Sequence, residues 1–300
     1  MSSPHRPMLG IIGGTGMAEA LGALGGGEQH RVDTPFGPPS SPITLVELAG
    51  APVALLPRHG EGHLFPPGRV PYRANVFALK AVGVTHVIAT SAAGSLREEI
   101  RPGELVVPDQ IIDRTFRREP TFFDDLAVHV EFALPFCATL RKLLLRTRSE
   151  GKVHEGGTYV CMEGPQFSTR AESDLHRAWG AHLIGMTLMP EAKLAREAEL
   201  CYATLALATD YDVWHETHEA VSVDAVVQNL LKNVATAKDV LRRVIPAIAP
   251  ARQCGCPTAL QSAVITNSKA FPPATRKRLA LFLDRYFPKP GARSSRGKHG

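Results

Sequence analysis

The sequence predicts an α/β fold in one domain, and three observations lead there. Short apolar runs recur at Met8–Ile12, Thr85–Ala89, Thr158–Met162, His182–Met186 and Tyr202–Ala208; the last, small and apolar throughout, reads as a strand buried on both faces. Between these runs lie segments of helical spacing, and several of the runs end in polar motifs of the kind that gather at the carboxyl ends of strands in open α/β sheets. The 300 residues carry no internal repeat and no second domain, and one α/β domain of this length buries a sizeable core.

Taken in order, Met8–Ile12 is an apolar strand followed by Gly13-Gly14-Thr15-Gly16. Glycines after a strand let backbone N–H groups approach an anion, and Thr15 adds a hydroxyl; a tight turn without a ligand explains the same residues. Gly10, Gly13 and Gly16 also resemble a loose dinucleotide fingerprint, but the spacing is not G-x-G-x-x-G and MAEALGALGGGEQH is a weak candidate for the required helix; no Gly-Lys-Ser/Thr follows, so it is not a P-loop. Ile43–Leu48 and Val53–Leu56 are strands, the second ending in Pro57-Arg58-His59-Gly60. Arg58 there suits bidentate phosphate binding, the bland alternative being a surface ion pair. His59 and His63 have helical spacing for a metal pair, but Gly60 and Gly62 argue against a helix, leaving His59 as an anion or sugar contact.

Tyr72–Lys80 reads as an amphipathic helix and Thr85–Ala89 as a strand that stops at Thr90-Ser91-Ala92-Ala93-Gly94-Ser95-Leu96, a second set of donors for an anion. Glu104–Val107 is a strand that Ile111–Thr115 leaves, and an irregular polar region runs through Arg118, Asp124 and Asp125 to His129, ahead of a basic helix around Arg141–Arg148. A loop of that length in a compact domain is more often functional or interfacial than idle. Thr158–Met162, His182–Met186 and Tyr202–Ala208 are followed by Glu163–Ser168, Thr187 and Asp210-Tyr211-Asp212, three motifs expected to face one cleft. Pro190 fits a first helical position ahead of EAKLAREAEL. Ser222 suits an N-cap for a helix with Val223, Val227, Leu230, Leu231, Val234, Ala237, Leu241 and Val244 along one apolar face; Val223 and Val227 lie nearest Asp210. Residues 250–257 read as a linker and Ala274–Tyr286 as a last short helix, giving a domain over 1–288 and a basic, solvated, flexible tail over 289–300.

Composition removes several function classes. Five cysteines, Cys137, Cys161, Cys201, Cys254 and Cys256, are too few and odd in number for a secreted disulfide scaffold and indicate a reducing compartment. Cys254-Gly-Cys256 lacks the second Cys or His pair that a zinc site needs, so no metal is expected; two free thiols, or a local disulfide, account for it. The N-terminal stretch has no long apolar core and no run is long enough to span a bilayer, which indicates a cytoplasmic protein. Much of the net charge of +5 lies in the tail, and basic residues are not interleaved with aromatics, so no nucleic-acid or membrane partner is expected.

What unites the motifs is an anion cradle (Thr15, Arg58, His59, Ser91, Ala92, Thr187), an aromatic face (Phe167) and a carboxylate pair (Asp210, Asp212). The cradle suits phosphate, the ring a heteroaromatic base, and a desolvated aspartate a proton donor to a ring nitrogen; D-x-D pairs also commonly cap turns.

The strings GIIGGTG, PRHGEGH, YRANVFALKAVGVTHVIATSAAGSLREEI, GELVVPDQIIDRT, EGPQFSTRAES, GMTLMPEAKLAREAE and LATDYDVW closely resemble the trimeric purine nucleoside phosphorylase family, in particular its 5'-methylthioadenosine phosphorylase branch. The resemblance spans roughly Leu9 to Ile248, in order and with similar spacing. It implies a central mixed, partly barrel-like sheet flanked by helices. It also implies reversible phosphorolysis of a purine nucleoside, with inorganic phosphate as co-substrate and no metal or organic cofactor. Thr15, Arg58, His59, Ser91 (where some relatives have Thr), Ala92 and Thr187 match the family's phosphate site. Met186 matches the residue against the ribose, Phe167 the one beside the purine, and Asp210 and Asp212 the purine-edge carboxylates. His129 matches a histidine that enters a neighbouring subunit's site, and Val223 and Val227 positions beside the 5' substituent. A homotrimer is therefore implied, with the pairing of trimers into hexamers left open. A carboxylate at 210 accepts from a 6-amino group where an Asn donates to a 6-oxo group, so methylthioadenosine ranks ahead of a broader range of adenosine, inosine or guanosine. A dinucleotide-dependent oxidoreductase explains none of Arg58, Thr187 and Asp210, and a catalytically silent base-binding protein is the third reading.

Overall fold

In the computed structural model, residues 8–14, 17, 27–147, 149, 151–215, 223–249 and 251–288 are described, except for the side chains of Met8, residues 223–228 and Leu231. Thr15, Ser222 and the 289–300 tail lie outside them. The strands are β1 (Met8–Gly13), β2 (Glu28–His30), β3 (Ile43–Leu48), β4 (Ala51–Pro57), β5 (Val84–Ser95), β6 (Leu105–Val107), β7 (Gln110–Arg114), β8 (Val153–Glu155), β9 (Thr158–Met162), β10 (Leu183–Gly185) and β11 (Cys201–Asp210). The helices are α1 (Tyr72–Ala81), α2 (Ala138–Arg146), α3 (Arg170–Ala178), α4 (Leu188–Glu197), α5 (Val223–Val244), α6 (Pro273–Arg278) and α7 (Ala280–Leu283).

All the strands join one mixed sheet that branches at β5. Along its first half β5 pairs in parallel with β1, which continues through β4, β3 and β2; at its far end it pairs antiparallel with β10, which continues through β9 and β7. Its other edge pairs in parallel with β11 over most of its length, and β6 and β8 complete that wing. The branch is how the mixed, partly barrel-like sheet is realised.

The reason one strand serves three neighbours lies in its sequence. The stretch Thr90–Ser95 was expected to be a loop, but β5 runs through it to Ser95. Ser, Ala and Gly side chains are small enough for strands to crowd both edges, and Gly94 is the tightest point: a Cβ there would lie 2.9 Å from Asp210 Oδ1. Ile111–Arg114 likewise belongs to a strand, β7, parallel to β9, and the three-residue β2 and β8 were not anticipated; strands that short carry too little periodicity to read.

Burial of β11 on both faces follows from the period-2 rule. Ala203, Leu205 and Leu207 pack with α2 and α5 residues such as Leu140, Val234 and Leu241, whereas Tyr202, Ala206 and Ala208 pack with the α1 and α4 side. Helix α4 carries a break at Met189 (φ −112°, ψ 135°), so that its regular part starts at Pro190, as its fixed φ favours. The expected helix over 274–286 is two, parted at Leu279 (φ −103°, ψ 15°), a turn that buries Leu279, Phe282 and Leu283 together. The 250–257 segment connects no separate body: Arg252 Nη1 donates to the Glu199 carbonyl at 2.8 Å and Cys256 is buried. Among the described residues no helix is long and apolar enough to cross a membrane.

Candidate active site

A cleft of about 230 Å³ opens where β1, β4, β9, β10 and β11 end and the last half of β5 passes. Its lining includes Arg58, His59, Ser91, Ala92, Phe167, Met186, Thr187, Asp210 and Asp212, brought together from six strand ends and loops. His129 is not among them; it is exposed, its backbone N–H bonded to the Ala263 carbonyl. The side chains of Val223 and Val227 are outside the described residues, although their backbone begins α5.

Arg58 anchors one end of the cleft. The surface ion pair weighed for it is corrected: its side chain is fully buried, with Nε and Nη2 donating to the two carboxylate oxygens of Glu191 at 2.8 and 2.9 Å and Nη1 donating to the Thr90 carbonyl at 2.8 Å. Burial works against the guanidinium charge, but the Glu191 carboxylate outweighs it and its pKa rises above the ordinary value. Three of five N–H groups are committed, leaving one on Nη1 and one on Nη2. Tyr202 donates to Glu191 Oε1 at 2.8 Å from the start of β11, so the carboxylate itself is fixed. Nothing in the EAKLAREAEL run of helix formers marks Glu191 as buried.

Beside Arg58, the hydroxyls of Ser91 and Thr187 lie 3.1 Å apart, and Ser91 is 3.1 Å from the Tyr159 hydroxyl. Thr187 precedes α4 without capping it, so its hydroxyl remains available. Gly14 N–H donates to Thr90 Oγ1 at 3.1 Å, which holds the turn after β1 against β5. His59 Nδ1 is 2.7 Å from the Phe65 carbonyl, and a carbonyl only accepts, so Nδ1 carries the proton and a neutral ring has a bare Nε2. Burial, followed by the Arg58 charge, lowers the His59 pKa to about 4, and the ring stacks on His63 at 4.2 Å between centroids.

The carboxylate end is built by a bulge. The β5–β11 register shifts between Ala208 and Asp210, which sets Asp210 opposite Gly94. Two asparagines one helical turn apart on α5 hold the shifted backbone: Asn229 Nδ2 donates to the Thr209 carbonyl at 2.7 Å and Asn233 Nδ2 to the Ala208 carbonyl at 2.8 Å. Asp210 Oδ1 accepts from Asp212 N–H at 2.8 Å and Oδ2 from the Thr209 hydroxyl at 2.7 Å, while burial raises its pKa. Asp212 sits at φ 52°, a left-handed conformation that aspartate tolerates better than most residues. Its pKa is also raised by burial, and its Oδ2 is buried without a hydrogen-bond partner among the described residues. An unpaired buried acceptor beside a carboxyl able to hold a proton is suited to both hydrogen-bond senses of a heterocycle edge. Phe167 forms part of the lining and is 46% exposed.

Glu163 does not line the cleft. It accepts from Phe116 N–H at 2.8 Å and pairs with Arg118 Nε at 3.2 Å, and Arg118 donates to the carbonyls of Met186, Met189 and Glu163 at 2.6, 2.6 and 2.7 Å. This nearly buried guanidinium clamps the ends of β9 and β10 together. The two asparagines on an otherwise apolar helix face were a visible signal for their role; Arg118, in an irregular segment, offered none.

One expectation about the cysteines is also corrected. Cys254-Gly-Cys256 was judged to have no second pair, but Cys137 and Cys201 join it, all four sulfurs lying within 4.8 Å of one another.

A profile of the phosphorylase superfamily matches residues 8–246. The S-methyl-5'-thioadenosine phosphorylase of Geobacter sulfurreducens is 50% identical over 283 residues, 93% of this chain and 99% of that protein; that of Hyperthermus butylicus is 48% identical, over 86% and 95%. Among solved structures, a methylthioadenosine phosphorylase from an Antarctic soil metagenomic library superposes with a TM-score of 0.86 at 45% identity, over 94% of this chain and all of that one. Methylthioadenosine phosphorylase from Schistosoma mansoni in complex with adenine gives 0.81 at 36% identity, over 87% and 99%. With the profile spanning most of the sheet and relatives half identical over nearly their whole length, this chain belongs to the phosphorylase superfamily.

Proposed function

We propose that this chain catalyses the reversible, phosphate-dependent cleavage of 5'-methylthioadenosine to adenine and 5-methylthioribose 1-phosphate, a pentosyl transfer. The observation that carries the proposal is the polarity of the cleft: a buried arginine with two uncommitted N–H groups and a hydroxyl pair at one end, and two protonatable carboxyls at the other. Relatives named for this activity, half identical over nearly full length, support the same reading.

In the proposed site, Thr15, Arg58, Ser91, Thr187 and the Ala92 backbone hold phosphate beneath the sugar. His59, with its bare Nε2, accepts from a protonated phosphate oxygen or a sugar hydroxyl. Met186 lies against the ribose and Phe167 beside the purine. Cleavage of the N-glycosidic bond develops positive charge on the sugar and negative charge on the departing base. Phosphate supplies the nucleophile and the compensating charge, and Asp210 shares its proton with N7 of the base through one carboxyl oxygen and accepts from the 6-amino group through the other, with Asp212 beside it at the purine edge. Val223 and Val227 border the 5' substituent. His129 completes a neighbouring subunit's cleft in a homotrimer, which accounts for its position on the surface away from its own. Inorganic phosphate is the co-substrate, no organic cofactor takes part, and the enzyme works in the cytoplasm.

The test is relative kcat/KM for methylthioadenosine, adenosine, inosine and guanosine, followed by ultraviolet absorbance with and without phosphate. Base release that requires phosphate and is fastest with methylthioadenosine is expected. Phosphate-dependent release fastest with inosine or guanosine would replace the substrate assignment, and base release independent of phosphate would remove the reaction.

A further inference from the structure

From the convergence of four thiols at the far end of the sheet, we infer that Cys137, Cys201, Cys254 and Cys256 form a closed structural site for a single zinc ion. The site does not depend on the proposed activity. Cys137 immediately precedes α2, Cys201 opens β11, and Cys254 and Cys256 come from the segment that returns after α5, so three separate parts of the chain meet there. A tetrahedral zinc lies about 2.3 Å from each sulfur, which places sulfurs about 3.8 Å from one another. The four sulfurs here lie within 4.8 Å of one another, and Cys201 and Cys254 are 3.4 Å apart. Adjustments of under about an ångström bring them to that geometry. A cluster of several irons would hold its thiolates farther apart, and hard cations such as magnesium prefer oxygen.

Thiols packed merely as small apolar groups would have no reason to direct all four sulfurs at one point. Cys137, Cys201 and Cys256 are at most 3% exposed, and Cys254 is partly buried beside them. Lys80 lies close enough to Cys201, and His86 to Cys137, for charge on the sulfurs to act on them, and Arg252 is near both bases. The Lys80 and Arg252 charges offset part of the negative charge of a tetrathiolate, whereas His86, its pKa lowered by burial, stays neutral. All four positions are filled by protein, the arrangement of a structural rather than a catalytic zinc. Cys201 and Asp210 stand at opposite ends of β11, about 30 Å apart at roughly 3.3 Å per residue. The ion would tie the returning segment and the 256–288 region to the start of α2 and β11.

The test uses the full-length chain, purified without chelator, and elemental analysis by mass spectrometry. One zinc per chain is expected. In parallel, reduced metal-free protein titrated anaerobically with Co²⁺ should give the intense visible bands and thiolate charge-transfer absorption of a tetrahedral four-sulfur site, saturating at one equivalent and displaced by zinc. Cys254→Ser and Cys256→Ser should lose the stoichiometric metal and inactivate at lower temperature, with kcat at moderate temperature unchanged. Should a variant fail to fold, the wild-type metal content and cobalt spectrum still decide the matter. Four free thiols with neither metal taken up, an equivalent of iron in place of zinc, disulfides joining these cysteines, or full zinc retention in both serine variants would each overturn the assignment.

Discussion

Replacing Glu191 with glutamine is the most informative perturbation of the cleft, because it changes one charge beneath the proposed phosphate site and almost no volume. Glu191 is 1% exposed and accepts from Arg58 twice and from Tyr202 once, at 2.8–2.9 Å. In Glu191→Gln one of the two acceptors facing Arg58 becomes an NH₂ group, and a fully buried guanidinium loses its counter-charge. Removing one partner of a buried pair costs about 3–5 kcal/mol. At roughly 2 °C per kcal/mol for a large domain, the phosphate-free protein should melt about 6–10 °C below wild type. Phosphate should then restore more of the variant's melting temperature than it adds to wild type, since an anion at Arg58 relieves the very charge that was left unpaired. Turnover should fall because the guanidinium is no longer held in one orientation. Scanning calorimetry across a phosphate series, with the base-release assay alongside, measures all three. A melting temperature equal to wild type, or a deficit that phosphate leaves untouched, would refute the idea that Glu191 holds Arg58 for an anion. Tyr202→Phe, which removes one neutral donor, should cost only about 0.5–1.5 kcal/mol and calibrates the larger loss.

Four further outcomes are expected. Asp210→Asn keeps the acceptor for Asp212 N–H but cannot supply the same proton, so turnover on methylthioadenosine should drop about 10²–10⁴-fold while relative preference moves toward inosine; near-normal turnover, with Asp212→Asn inactive, would exchange the two roles. Asn229→Leu strips the Thr209 carbonyl of its donor, which should cost about 1–3 kcal/mol and lower kcat more than it changes KM; unchanged kcat would mean that the bulge holds itself. Burial raises the Glu197 pKa from 4.5 to about 7. Its unfolded form gives up the proton first, so its contribution is fully present below pH 4.5 and is lost as pH rises through 7, a change on the order of 3 kcal/mol at about 1.4 per unit. Glu197→Gln should therefore gain on wild type in melting temperature between pH 5 and 8, and a constant difference across that range would contradict it. Sedimentation should give a trimer, and His129→Ala should raise the nucleoside KM without dissociating it; a fully active monomer would end that reading.

The positions of Arg58, Ser91, Thr187, Asp210 and Asp212 could be chosen from sequence because each stands at or near the end of an apolar run, and one-dimensional patterning reports strand ends directly. Helix α5 was legible for the same reason, its apolar spacing being a local property. Thr90–Ser95 misled because small residues weaken strand propensity, although the same smallness is what lets β10 and β11 crowd against that end of β5. The sequence by itself therefore determined the α/β class, the polar residues that gather at one end of the sheet, and the family. Only the tertiary structure decided what those residues face: that Arg58 is buried against Glu191, 133 positions away, that Arg118 binds two strand ends, and that Cys137 and Cys201 meet a motif more than fifty residues downstream. Each of these depends on long-range pairing that places chemically ordinary residues in contact, and no local pattern of hydrophobicity, charge or turn chemistry encodes which distant partner a buried charge or thiol will find.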